Sequence, residues 1–209
     1  MSEPFPPNPQ ASRIEQVSPL DESFGNLEQM HQHQALLIID MQLVAFDGKI
    51  TPPIQDGAQV LKNVADLVTA CRAAALPIVY LQTRAASGQP YAEDVHGWAI
   101  HPTIAPETSD TIVFKVNSDG FEGTKLESVL NRLEVRDLIT CGIWSEYCLA
   151  RTSTTAIKLG FGVQVAADAH GTVSESKKSA RAIVNKQNMI LAQRNAIVST
   201  TQEICEQLQ

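Results

Sequence analysis

The chain is short of charge and of aromatic side chains, and it has no long apolar run. Of its 209 residues, 19% are charged and 5% aromatic. Nothing approaches the ~20 consecutive apolar residues of a membrane-spanning helix, so no membrane partner is expected. Basic residues are outnumbered, 16 Lys and Arg against 23 Asp and Glu, for a net charge of -7. That balance opposes binding to a phosphate backbone, so no nucleic acid is expected either. Cys71, Cys141, Cys148 and Cys205 form no C-x-x-C pair, which suits reduced thiols better than a disulfide framework. The first ten residues, MSEPFPPNPQ, show neither the basic stretch nor the apolar core of a secretory signal, and a cytoplasmic location is expected. No G-x-G-x-x-G follows the first apolar run, which removes the usual dinucleotide signature.

What is present is 44% hydrophobic, enough for one well-filled domain. Residues 1–33 read as an extended or flexible arm, because Pro4, Pro6, Pro7 and Pro9 forbid a regular helix. His31 and His33 make a His-x-His pair there, but with no second pair nearby they read as solvated. Residues 34–209 then alternate strand-length apolar runs with helical-period segments. The runs are 35–40 (ALLIID), 77–82 (PIVYLQ), 111–115 (TIVFK), 137–142 (DLITCG), 162–167 (GVQVAA) and 195–199 (NAIVS). Between them, Val60, Val64, Leu67, Val68 and Cys71 share one helix face. Thr124 and Glu127 have the spacing of a capping box before Leu126, Val129, Leu130 and Leu133. Further helices are predicted over 146–159, 175–192 and 201–208.

Uninterrupted apolar strands must be covered on both faces, so the pattern predicts a three-layer αβα sandwich. Its sheet is expected to be doubly wound, parallel and six-stranded, in the order 3-2-1-4-5-6. Ligands in such sheets bind beyond the carboxyl ends of the strands. The groups found there are Asp40, Thr83, Lys115, the segment 142–148 and Asp168. Cys148 falls in the first turn of a helix with Ser145 as its N-cap, where the helix dipole favours a thiolate. Asp40 is positioned to take the thiol proton, and Lys115 to stabilise the anion and orient the carboxylate. The third strand lies two strand spacings, roughly 10 Å, from the first, so only a long side chain such as lysine reaches the centre. Each residue alone also has a plain reading: a buried small hydrophobe, a turn acid, a solvated lysine. Asp168 and Thr172 are expected to organise a turn.

Three segments carry a family resemblance: ALLIIDMQ at 35–42, Lys115 followed by NSDGFEGTKL at 117–126, and GIWSEYC at 142–148. In this order and spacing they resemble the isochorismatase-like cysteine hydrolases over about residues 35–199. The resemblance implies a Cys-Asp-Lys triad of Cys148, Asp40 and Lys115. It also implies a cis peptide between Ile143 and Trp144 that aims the backbone N–H groups of Trp144 and Cys148 into an oxyanion hole. Acyl transfer through a thioester follows, with no cofactor, on a small amide, carbamoyl or ureide substrate. Relatives are commonly homo-oligomers, dimers or tetramers.

The sequence departs from the metal-binding members, the nicotinamidases, which carry Asp-x-His after the second strand. Here that position reads Thr83-Arg84-Ala85, and His96 with His101 makes a poor ligand set, so no metal is expected. A Phe usual five residues after the acid is displaced to Phe46. Gln42, Phe46, Arg84, Trp98, Phe121 and Trp144 are the candidate substrate contacts, and Tyr91, His96 and His101 of the 84–110 segment are further candidates. Arg84 is the candidate partner of a substrate carboxylate, and Trp144 a flat wall or a core-filling side chain. The segment 84–110 has the length of a lid or a substrate wall, or of a surface loop anchored by Trp98. Other readings of the chain are a vinyl-ether hydrolase, in which an acid works and the cysteine is dispensable, and a non-catalytic small-molecule-binding or scaffold protein.

Overall fold

Alternate side chains of a strand point to opposite faces, and in this chain both faces are covered. A computed structural model describes residues 33–209. In chain order the strands are β1 (Gln34–Ile39), β2 (Ile78–Thr83), β3 (Thr111–Lys115), β4 (Asp137–Ile143), β5 (Gly162–Gly171) and β6 (Ile197–Ser199). They form one parallel sheet in the order β3-β2-β1-β4-β5-β6, the expected doubly wound topology. The helices are α1 (Gly57–Ala73), α2 (Leu126–Arg132), α3 (Ala150–Lys158), α4 (Ala180–Gln193) and α5 (Thr201–Gln207). No helix of the described residues is long and apolar enough to cross a membrane.

From β1, Leu36 and Ile38 pack with Val60, Val64 and Leu67 of α1 and Ile204 of α5. Leu37 and Ile39 face the other way, onto Leu126, Val129 and Leu130 of α2, Ala156 of α3 and Leu191 of α4. Each such Leu or Ile contributes ~1.5–3 kcal/mol by leaving water, which is why β1 tolerates no polar interruption. At Gly142 the φ is +114°, and a Cβ would stand 2.1 Å from the Ile39 carbonyl oxygen. Only glycine lets β4 pass that close to β1 just before the site.

Several local expectations change. Thr124 does not cap α2, whose N-cap is Lys125; its hydroxyl donates to Gly120 O at 2.6 Å and accepts from Leu126 N. The capping box forms at α5 instead, where Thr200 and Glu203 bond each other's backbone N–H. Helix α4 begins at Ala180 rather than 175, because Glu175 and Lys178 pair as a tight turn and Ser179 takes the N-cap. Strand β5 runs on to Gly171 after a register shift against β4. Asp168 therefore does not organise a turn: its Oδ1 accepts from the Thr201 backbone and hydroxyl and fixes the start of α5. His33, assigned to the arm, bonds Glu134 O through Nδ1. The rest of the arm, with His31, lies outside the described residues.

Candidate active site

The carboxyl ends of β1, β2 and β3 bring three side chains onto one point beside Cys148. Asp40 follows β1 at φ +52°, a left-handed conformation that Asp tolerates better than most residues. Its N–H donates to Leu81 O on β2 at 3.0 Å, which fixes the turn. Lys115 ends β3 and is 2% exposed, Asp40 1%. The ammonium Nζ lies 2.7 Å from Asp40 Oδ2 and 3.4 Å from Cys148 Sγ, and donates to Asn117 O at 3.1 Å. Thr83, paired in register with Lys115, bridges the two: its hydroxyl accepts from Lys115 Nζ at 2.8 Å and donates to Asp40 Oδ1 at 2.8 Å.

Cys148 sits in a π-helical turn, Ser145–Leu149, that leads into α3. The Ile143–Trp144 peptide before it is cis. Trp144 is the N-cap, with no side-chain cap bond. Ser145, expected as the cap, is buried and its hydroxyl bonds His170 Nδ1 at 2.9 Å. The Cys148 side chain is 9% exposed. Burial, reinforced by the Asp40 carboxylate, pushes its thiol up to about 12, and Lys115 only partly opposes this. Burial and the Asp40 carboxylate thus act against the thiolate that the helix start alone implied, and Lys115 acts for it. For Lys115, burial pulls the pKa down, but Asp40 and Cys148 outweigh it and hold the ammonium above the ordinary lysine range.

Next to the sulfur is a cavity of about 220 Å³ lined by Asp40, Thr83, Tyr91, Trp144, Tyr147 and the segment 116–118. Of the candidate substrate contacts, Trp144 and Tyr91 are on this wall. The Trp144 indole N–H donates to the Tyr91 hydroxyl at 3.0 Å, which ties the 84–110 segment to the site. Gln42 is fully buried and serves as a clamp, donating to Thr83 O at 3.0 Å and Trp98 O at 2.7 Å and accepting from Thr83 N. Trp98 stacks on Phe114, with ring centroids 6.2 Å apart. Arg84 pairs with Glu93 and lies over the Phe114 ring. Phe46 meets His101 edge-on, and Phe121 lies against Phe161. These five are not brought to the cavity.

His96 pairs with Asp47 at 3.0 Å while His101 bonds Thr103 N, so the two rings serve different partners. Among the described residues no three His, Cys, Asp or Glu side chains gather as metal ligands. Thr83 is the site residue to which sequence reasoning gave no chemistry. Its signal was its position at the end of the strand between β1 and β3. Tyr147, beside the cysteine, carried no pattern at all.

An isochorismatase-domain family model matches residues 34–203. A streptothricin hydrolase of Streptomyces noursei is 36% identical over 139 residues, 66% of this chain and 50% of that protein. The chain spans about half the length of the streptothricin hydrolases it matches. A ureidoacrylate amidohydrolase of Enterobacter sp. (strain 638) is 27% identical over 161 residues, 58% of this chain and 67% of that one. The crystal structure of a cysteine hydrolase from Pseudomonas syringae superposes with a TM-score of 0.79 over 85% of this chain and 92% of the other. At 22% identity that is a likeness of fold.

Proposed function

This chain belongs to the isochorismatase family, and we propose on that premise that it hydrolyses the C–N bond of a small amide, carbamoyl or ureide compound through a Cys148 thioester. The observation that carries this reading is the placement of Lys115 Nζ, 2.7 Å from Asp40 and 3.4 Å from the Cys148 sulfur, behind a small cavity that Asp40 and Cys148 line.

Burial and the Asp40 carboxylate raise the thiol pKa to about 12, and in this reading deprotonation accompanies attack. Asp40 takes the thiol proton as Cys148 Sγ bonds to the carbonyl carbon, and general-base help of this kind contributes ~10²–10⁴-fold in rate. The oxyanion of the tetrahedral intermediate is assigned to the backbone N–H groups of Trp144 and Cys148, each such donor contributing ~3 kcal/mol in the transition state. Collapse breaks the C–N bond, and Asp40 passes its proton to the departing nitrogen. Water then attacks the thioester, losing a proton to Asp40. The sulfur leaves and recovers that proton, which restores the starting thiol. Lys115 keeps its charge throughout, holding Asp40 in place and lowering the cost of negative charge on sulfur. These steps need no cofactor or metal.

The relatives named streptothricin hydrolase and ureidoacrylate amidohydrolase support C–N chemistry over vinyl-ether cleavage. The test is a screen of small amides, carbamoyl compounds and ureides for ammonia release by purified protein. At least one substrate is expected to be turned over, with Cys148→Ala inactive and folded. Turnover that persists in Cys148→Ala overturns the thioester route. A homo-oligomer, dimer or tetramer, is part of the same reading. It is supported by the exposed apolar side chains Ile112 and Phe114 on edge strand β3, and light scattering on the purified protein tests it.

A further inference from the structure

His170 is 2% exposed and does not line the cavity beside Cys148, so the steps above give its ring no task. Its place comes from the irregular pairing of β4 with β5. Thr140 pairs with Val165 but Gly142 pairs with His170, so β5 carries extra residues past the end of β4. In that position Nδ1 lies 2.9 Å from Ser145 Oγ, and Nε2 lies 2.9 Å from Asn188 Oδ1 on α4.

The far end of Asn188 decides which group donates. Its Nδ2 donates to Ala167 O at 3.0 Å, which leaves Oδ1 as an acceptor, and Nε2 of His170 carries the proton. Burial lowers the ring's pKa below the ordinary 6.5, against the opposing pull of Asn188 and Asp168, so at pH 7 the ring is neutral and Nδ1 is bare. The Ser145 hydroxyl therefore donates to it.

Ser145 is fully buried and opens the π-helical turn Ser145–Leu149 that carries Cys148. A second side chain of this turn, Glu146, accepts from the Thr172 hydroxyl at 2.8 Å, but that bond is only partly buried. Trp144, the N-cap, makes no side-chain cap bond. The sulfur stands 3.4 Å from Lys115 Nζ, and a misplacement of ~1 Å at a reacting atom costs ~100-fold in rate.

We propose, on the reading of Cys148 as the nucleophile, that His170 is a positioning residue: its Nδ1 holds Ser145, and through it the cysteine turn, so that the sulfur meets Asp40 and Lys115. Asn188 fixes which nitrogen faces Ser145. None of the three lines the cavity, and they act through the placement of the sulfur.

Two replacements of the ring separate its two bonds. By bond count, asparagine Oδ1 stands where imidazole has Nδ1, and the end group of glutamine stands where it has Nε2. His170→Asn keeps an acceptor for Ser145, with no tautomer to be set, and gives up Asn188. His170→Gln keeps Asn188 and gives up Ser145. The readout that needs no substrate is the rate at which iodoacetamide alkylates Cys148 in the full chain, followed by peptide mass spectrometry, with circular dichroism to show each variant folded. His170→Gln and Ser145→Ala are expected to be slowed ~10-fold, and His170→Asn to stay within ~3-fold of the parent. With an amide that the parent turns over, the two slow variants should lose ~10–100-fold in kcat while KM stays within ~2-fold. Equal alkylation rates for His170→Asn and His170→Gln, or a Ser145→Ala protein alkylated as fast as the parent, overturn the inference. If a His170 variant does not fold, Ser145→Ala decides alone, since it removes a single oxygen. The expected order of alkylation rates, with no amide turned over by the parent, keeps the positioning role and sinks the hydrolase reading.

Discussion

Lys115 reaches past an intervening strand to Asp40: its Nζ stands 2.7 Å from Oδ2 although β2 separates β3 from β1. Two strand spacings are roughly 10 Å, so the extended lysine stem bridges the gap and lies buried along the way. Removing one partner of such a pair strands the other charge in the interior, at ~3–5 kcal/mol. Lys115→Met is therefore expected to lose about that much stability in urea unfolding, together with all turnover. Adding Asp40→Asn should return part of the stability and none of the activity. A Lys115→Met protein as stable as the parent contradicts this account of the pair.

Thr83 links the two charges through one hydroxyl, donating to Asp40 and accepting from Lys115. Hydrogen bonds to charged groups contribute ~1.5–3 kcal/mol. Thr83→Val should destabilise by about that much and lower kcat more than it raises KM, since Thr83 positions the base. Thr83→Ser should restore most of both. If Val and Ser variants behave alike in steady-state kinetics, the positioning role is wrong.

The proposed triad predicts a pH profile without a thiol step near neutrality. Burial holds Cys148 near 12, and Lys115 lies above its ordinary 10.5. Neither changes charge between pH 7 and about 9, so kcat/KM should be flat there. It should fall only in strong alkali, when the ammonium is lost. A rise centred near pH 8, as a free catalytic thiol gives, would show that Cys148 ionises independently of Asp40.

His170 joins β5 to the cysteine turn through Ser145 and to α4 through Asn188 Oδ1, 2.9 Å from Nε2. Burial holds its pKa below 6.5. Above that value the ring is neutral in both folded and unfolded chains, and its contribution is fully present. As pH falls below ~6.5 the unfolded chain binds the proton first, and stability drops by up to ~1.4 kcal/mol per unit until the folded pKa is reached. Unfolding free energies between pH 5 and 8 should show this slope, and His170→Gln should flatten it. An unchanged slope in the variant assigns the effect to other groups.

The meeting of Asp40, Lys115 and Cys148 was legible because parallel topology sends every strand's last residue to one edge, so Asp40, Lys115 and the segment before Cys148 needed only their strand assignments. Thr83 was visible in the same way, but a hydroxyl between two charges has no sequence pattern. Gln42 and Arg84 misled for a different reason. Their partners, Trp98 O and Glu93, lie on a segment whose path depends on packing and not on periodicity. The thiolate expectation weighed the helix start and not the burial that the surrounding strands impose on the sulfur. Helix boundaries shifted where a tight turn competed, as at Glu175 and Lys178 before α4.

The claim on which the rest depends is a covalent bond to Cys148. Rapid acid quench of the protein with a turned-over amide, followed by intact-mass and peptide mass spectrometry, tests it directly. The account predicts a gain equal to the substrate minus the departing amine, on the peptide that carries Cys148 and on none with Cys71, Cys141 or Cys205. An adduct on another cysteine, or continued turnover by Cys148→Ala with no adduct, would contradict it.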